Sequence, residues 1–356
     1  MAENFTFGEL VVPGTFIRVR AEGLIGVGGI STGNIGIVGT ASSGIGDTHL
    51  LDDYEAAKTV FGNYDAFATG QLNLTRALEI LYQNGARTVY ARGVAQGADQ
   101  AAFTAAFTEL LKEDVQILLA PELSTPTALA VLAPVLDTAE NDGKDCIAVI
   151  GTDRTTVADM TTQAPTNDRI IFTTPGIQAF DVIGKLDVNL PGNYGAAAVA
   201  GLISQLAPAD SPTNKTLSGV IKLSRKFTYG ELKQLINGRV LTLEERGGVR
   251  VVRGLTSDNG AFKQVTTRRI TDFAKAGIRK ASDPFIGKLN NQRVRAALQG
   301  AIDGFLTTMV QDESLIDYTL QVTATRQDEI NGRAIVNALI RPTFSIDFVA
   351  VTLVLQ

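Results

Sequence analysis

Val115-Gln116-Ile117-Leu118-Leu119-Ala120 and Cys146-Ile147-Ala148-Val149-Ile150-Gly151 are two short, nearly continuous apolar runs, and the segment between them, Thr127–Asn141, reads as a helix. Strands apolar at successive positions are buried on both faces, as in parallel sheets covered by helices. The unit repeats in both directions. Upstream lie the strand Ile35–Gly39, a helix at Gln71–Asn84 with Leu72, Ala77, Leu78 and Leu81 on one face, the strand Thr88–Arg92, and the alanine-rich helix Gln100–Glu113. Downstream lie the short strand Ile170–Thr173 and the small-residue helix Gly192–Leu206. Alternating strands and helices of this length predict βαβ units, hence an α/β body at 23–240.

Around that body the chain changes character. Residues 1–22 form an N-terminal arm with one extended segment, Thr15–Arg20, entered through Pro13-Gly14. Composition shifts near Leu241, and a smaller α+β domain is predicted at 241–341. It has helices near 265–281 and 290–311, strands Tyr318–Ala324 and Ala334–Arg341, and a turn at Asn331-Gly332. The C-terminal arm, 342–356, holds a further strand, Thr343–Leu355, which is β-branched, aromatic and apolar. A strand of that kind must be paired or it templates aggregation. It pairs within its own fold or adds to a sheet in another copy.

Bulk properties exclude more than they assign. The 356 residues are 45% hydrophobic and 19% charged with net charge −5, a globular balance with no global pull toward nucleic acid or anionic membranes. No leader is legible at Met1–Phe5 and no apolar run spans a bilayer. The single cysteine, Cys146, sits in a buried strand and reads as a small hydrophobe; it permits no intrachain disulfide. The one acidic-protein exception is 261–295, where Lys263, Arg268, Arg269, Lys275, Arg279, Lys280, Lys288, Arg293 and Arg295 face only Asp272 and Asp283. Such a patch serves a nucleic acid, an acidic protein partner, or simply a solvated helix face.

Catalytic chemistry is sought and not found. Gly39-Thr40-Ala41-Ser42-Ser43-Gly44 has Walker spacing but is followed by Ile45-Gly46 in place of the lysine that reaches the phosphates. Gly26-Val27-Gly28-Gly29-Ile30-Ser31 fails the dinucleotide pattern at its last glycine. The single histidine, His49, reads as a loop or surface residue beside Asp47, Asp52 and Asp53, and one histidine with one distant cysteine gives no metal site. The acidic pairs Asp52-Asp53 and Glu244-Glu245 read as solvated surface. These residues predict no catalytic, cofactor or metal site and no enzyme.

Several stretches in the right order resemble contractile tail sheath proteins. They are Pro13-Gly14-Thr15-Phe16-Ile17; Leu190-Pro191-Gly192 with Ala197–Gly201; Ser211–Lys215 with Leu217–Val220; Arg268–Phe273; Arg293-Val294-Arg295 through Phe305-Leu306; and Leu315–Tyr318. The resemblance implies a structural subunit of a phage tail, R-type bacteriocin or extracellular injection particle, assembled in the cytoplasm. Such subunits stack as hexameric rings around an inner tube, meet baseplate and terminal cap proteins, and contract to drive the tube through a target membrane without inserting themselves. It also implies arms that exchange β-strands between subunits, here through Phe16, Ile17, Val19, Phe344, Ile346, Phe348, Val351 and Leu353. The C-terminal domain would face the tube, and no nucleic acid or cofactor is expected; from this chain's own basic stretch, Lys288, Arg293 and Arg295 are expected to face acidic groups of that tube. The competing expectation is an α/β nucleotide-binding protein or enzyme using the glycine-rich 23–46 region.

Overall fold

The computed structural model describes residues 29–66 and 74–354. The expected strand at 15–20 with Phe16, Ile17 and Val19, the first glycines of 23–46, the start of the helix predicted from Gln71, and Leu355 lie outside the described residues.

The first half of the body contains β1 (Ile35–Thr40), β2 (Thr48–Leu51), α1 (Tyr54–Phe61), α2 (Leu74–Gln83), β3 (Val89–Val94), α3 (Gln100–Leu110), β4 (Ile117–Leu119), α4 (Thr125–Asn141) and β5 (Ile147–Gly151). The second half contains α5 (Val157–Gln163), β6 (Ile170–Thr174), β7 (Ile177–Asp181), β8 (Leu186–Leu190), α6 (Gly192–Gln205), β9 (Lys222–Leu223), α7 (Tyr229–Asn237), β10 (Leu241–Glu245) and β11 (Val249–Val251). The C-terminal part is α8 (Val265–Ser282), α9 (Gln292–Gln311), β12 (Leu315–Thr323), α10 (Arg326–Ile330) and β13 (Ile335–Pro342).

Eight strands make one sheet in the order β11-β10-β6-β5-β4-β1-β3-β2. The interior pairs are parallel, and β2 and β11 run antiparallel at the two edges. Period-2 geometry sends alternate residues to opposite faces. Ile35, Ile37, Ile117, Leu119, Ile147, Val149 and Ile171 join α2 and α6 in one apolar cluster, while Val38, Leu118, Ala148, Ile150 and Phe172 join α3 and α4 in another. That is why these strands read as unbroken apolar runs. The sheet continues past the expected boundary at 240, because β10 hydrogen-bonds to β6 and β11 to β10.

Small residues set the closest approaches. The whole of α6 from Gly192 to Ile203 is buried. A Cβ at Gly201 would lie 2.6 Å from the Leu81 carbonyl oxygen, so glycine lets α6 cross directly over the backbone of α2. A small antiparallel sheet, β8-β7-β9, flanks this helix and is fixed by Arg76, whose guanidinium donates to the Phe180 carbonyl at 2.8 Å and the Tyr64 hydroxyl at 2.6 Å.

The C-terminal part has its own cluster, built by Ile270, Ala274, Leu298, Ile302, Phe305, Leu306 and Met309 and covered by the β12–β13 hairpin. Here α8 crosses α9 at Gly277, where a Cβ would sit 1.9 Å from Phe305 Cζ. Phe305 is pinned between that glycine and Phe273, ring centroids 5.6 Å apart. Gly277→Ala is therefore expected to destabilise the chain by about 1–3 kcal/mol through overpacking, against a helix-propensity gain of roughly 1 kcal/mol. Urea unfolding monitored by far-UV circular dichroism checks this; a midpoint equal to or above that of the parent would contradict the packing argument.

Candidate assembly surfaces

The crevice at the carboxyl ends of the parallel strands is where an α/β sheet of this kind would bind a nucleotide. This chain fills it with its own side chains. The Glu122 carboxylate accepts from the Thr40 backbone N–H at 2.8 Å and 3.0 Å and from the Thr40 hydroxyl at 2.6 Å. The donor that a Walker-type loop would offer to phosphate is thus committed to a carboxyl group. Burial pushes that carboxyl up to about 7. Nearby, the Asn193 side chain accepts from Gly151 N–H at 2.9 Å, and a Cβ at Gly151 would lie 2.0 Å from the Gly192 backbone, so the start of α6 is closed against β5.

His49 is placed by β2 and not by a loop. Its ring stands edge-on to Phe61 at 5.6 Å, a packing role that a reading of the adjacent aspartates missed. Cys146 is buried with its thiol 3.1 Å from the Val115 carbonyl, and burial pushes it up to about 12, so it packs as a hydrophobe.

The middle of the basic stretch, Arg268 to Arg279, turns inward. Arg268 pairs with Asp168 at 2.7 Å and Asp272 at 2.5 Å. Arg169, on the body, pairs with Glu140 at 2.7 Å, Asp145 at 2.9 Å and Asp272 at 3.2 Å. Lys275 and Arg279 both reach Asp145, at 2.5 Å and 2.6 Å. Arg269 donates to the carbonyls of Leu206, Ala207 and Thr32. One face of α8 is therefore joined to the body by a network of charges. The hydrogen bond from Arg169 leads the effects that hold the Glu140 carboxyl down at about 2. For Asp145, burial opposes ionisation, yet the hydrogen bonds from Lys275 and Arg279 hold its carboxyl below the ordinary range. Burial raises Asp272.

The three residues expected at a tube are distributed unevenly. Lys288 and Arg293 are exposed. Arg295 is half-buried and pairs with Glu329 of α10 at 3.0 Å. Lys288 lies between Ile286 and Leu289, which are 79% and 80% exposed, on the turn joining α8 to α9. This turn presents apolar and basic groups together, a composition that local charge counting did not reveal.

The last feature is a two-stranded sheet beside an exposed apolar segment. β12 and β13 pair only with each other among the described residues. Tyr318, Leu320, Val322, Val336 and Ile340 pack toward the C-terminal cluster, while Leu339 on the other face is exposed. A two-stranded sheet has two open edges and is marginal alone. The strand expected at Thr343–Leu355 is not formed: among the described residues nothing beyond Pro342 joins a ladder. Phe344, Ile346, Phe348, Val351 and Leu353 are exposed, the last at 85%.

Two family models match the chain. Residues 93–257 match the family described as phage tail sheath protein central domain, and residues 257–356 match phage tail sheath C-terminal domain. No curated protein sequence matches. Similar solved structures include a chain of the anti-feeding prophage baseplate, six-fold symmetrised (17% identity, TM-score 0.77, covering 97% of this chain and 99% of that one). The anti-feeding prophage helical sheath in its contracted state is similar at 17% identity and TM-score 0.75, covering 96% and 99%. The PVC sheath complex of an extracellular contractile injection system, contracted, is similar at 16% identity and TM-score 0.73, covering 96% and 97%.

Proposed function

The chain belongs to the phage tail sheath protein family, and from that premise we propose that it is the contractile sheath subunit of a phage tail-like or injection particle. It is a structural protein and not an enzyme. The subunits stack as hexameric rings around an inner tube, with baseplate and cap proteins at the ends, and the lattice shortens to drive the tube forward. The observation that carries this reading is the exposed apolar segment beyond Pro342 beside a two-stranded sheet whose edges are open among the described residues. Each supplies what the other lacks, but in different copies. The N-terminal segment with Phe16, Ile17 and Val19 is the second donor, so a complete module has four strands from three subunits.

Contraction then requires no nucleotide. Its work comes from better contacts between subunits in the contracted lattice, with each body moving as a unit. The charge network between α8 and the body supports this, because a helix held by five cations and four carboxylates does not swing separately. No helix among the described residues is long and apolar enough to cross a membrane. The nucleotide reading has the Glu122 carboxyl against it.

The tube-facing surface is the α8–α9 turn. Lys288 and Arg293 meet acidic groups of the tube, Ile286 and Leu289 meet apolar ones, and Arg295 stands behind them with its charge shared with Glu329. Exposed ion pairs are worth roughly 0–1 kcal/mol each, weak enough to be broken together during contraction. The double variant K288E/R293E, co-expressed with the tube protein, is expected to give sheath that fails to co-purify on tubes. Negative-stain micrographs read the outcome; tubes sheathed as in the parent would remove the electrostatic part of this reading. For the whole reading, purified protein that stays monomeric and binds nucleotide would be decisive against it.

A further inference from the structure

The arm does not leave the molecule where the last ladder ends. After Thr343 N–H donates to the Ser314 carbonyl at 3.1 Å, side-chain burial alternates: Thr343, Ser345 and Asp347 are half-buried, while Phe344, Ile346 and Phe348 are exposed. The inward residues are held by one cluster. Gln264, the residue before α8, accepts from Ser345 N–H through Oε1 at 3.1 Å and donates from Nε2 to the Ser345 carbonyl at 3.2 Å. A side-chain amide thereby makes both hydrogen bonds of a β-bridge to that residue. Asp347 accepts from Gln264 Nε2 at 2.9 Å and pairs with Arg253 Nε at 2.7 Å, with side-chain exposures of 6% for the aspartate and 17% for the arginine. The Thr213 hydroxyl reaches Asp347 at 3.4 Å, and the Arg253 guanidinium lies 5.1 Å over the Phe348 ring.

We infer that the donated strand begins at Phe348 and that Asp347, clamped by Arg253 and Gln264, is its fixed take-off point toward the open edge of the β12–β13 sheet in a second copy of this chain. The inference rests on the strand-exchange reading above and specifies it. Two arguments choose the occupant. A return onto the chain's own β13 needs a turn, and the only place for one is 343–347, the stretch this clamp keeps extended. The seven described residues after the clamp, Phe348–Val354, span about 23 Å when extended at roughly 3.3 Å per residue, enough to lie along most of the eight-residue β13 or nine-residue β12 edge. Phe344 and Ile346, although apolar and exposed, stand on the tethered root and are not part of the exchanged ladder. Because the root is ordered before assembly, the partner strand meets a pre-aimed arm and less ordering cost opposes association.

Three measurements on the full chain test this. In hydrogen–deuterium exchange on dilute monomer, the Ser345 amide is expected to be protected, and Gln264→Ala to raise its exchange about tenfold or more; an unprotected Ser345 in the parent removes the clamp. Deletion of 348–356 is expected to lose polymers as completely as deletion of 343–356. If only the longer deletion loses them, the donated strand begins earlier and the inference fails while strand exchange stands. If both polymerise, strand exchange itself fails. Finally, R253D and D347R are each expected to raise the concentration needed for polymers about tenfold, and the R253D/D347R swap to recover it. Single variants that assemble like the parent, or a swap no better than the singles, overturn the take-off role.

Discussion

Removing residues 343–356 is expected to abolish polymers while leaving the α/β body folded. None of the three apolar clusters uses a side chain beyond Ile340, so truncation opens no cavity. The body loses the Asp347 and Ser345 contacts and leaves Arg253 and Gln264 without those partners, a cost of roughly 1–3 kcal/mol. Assembly loses far more. An added strand contributes neutral backbone hydrogen bonds worth about 1 kcal/mol each, and burying Phe348, Val351 and Leu353 adds about 1.5–3 kcal/mol for each side chain. Every subunit in a lattice both gives and receives such a strand, so the loss is compounded along the polymer. Sedimentation and negative stain read the polymer, and circular dichroism reads the body. Rings or tubes that survive the deletion, with an unchanged melting profile, would show that this terminus is not the exchanged strand.

The body was legible because its strands are buried on both sides. Ile117-Leu118-Leu119 and Ile147-Ala148-Val149-Ile150 carry their own evidence, since neither face has a polar residue to hide the period. The edges were less legible. β10 and β11 follow a change in composition near Leu241 and read as the start of another domain, although they pair with the body's sheet. β2 was hidden because His49 sits among aspartates and its packing partner Phe61 lies twelve residues on. The basic stretch shows a deeper limit. Charge counted along 261–295 gives an unopposed patch, but the carboxylates that oppose it, at Glu140, Asp145 and Asp168, are a hundred or more residues away in sequence and within 3 Å in space. Of the three residues expected at a tube, Lys288 and Arg293 are exposed and Arg295 is half-buried, and their apolar neighbours Ile286 and Leu289 became visible as a surface only in the fold. The exposure of the terminal apolar run, Phe344 to Val354, was legible by contrast, although the strand expected at 343–355 is not formed among the described residues.

Arg169→Met is expected to lower the unfolding free energy by about 3–5 kcal/mol, the cost of breaking a buried ion pair by removing one partner. The arginine side chain is 3% exposed and joins Glu140, Asp145 and Asp272, with a further bond to the Cys146 carbonyl at 3.1 Å. Methionine fills much of the volume but leaves Asp272 with Arg268 as its remaining pair. Acid titration separates this loss from a simple packing defect. Glu140 and Asp145 have folded-state pKa values below their unfolded ones. Their contribution is therefore present above about pH 4.5 and is lost as pH falls toward about 2, where Glu140 takes up its proton. Burial raises Asp272 and acts in the opposite sense. In the variant Glu140 loses its strongest hydrogen-bond donor, its pKa climbs back toward the ordinary range, and the stability lost between pH 4.5 and pH 2 shrinks. Lys275→Met provides the comparison: that ammonium is 33% exposed and shares its carboxylates with Arg169, so its removal is expected to cost about 1 kcal/mol or less. Denaturant unfolding at pH 7 and pH 3 gives both quantities. If Arg169→Met cost no more than Lys275→Met and kept the parent's acid sensitivity, α8 would be held by its apolar face alone, and the rigid coupling of the C-terminal part to the body would lose its physical basis.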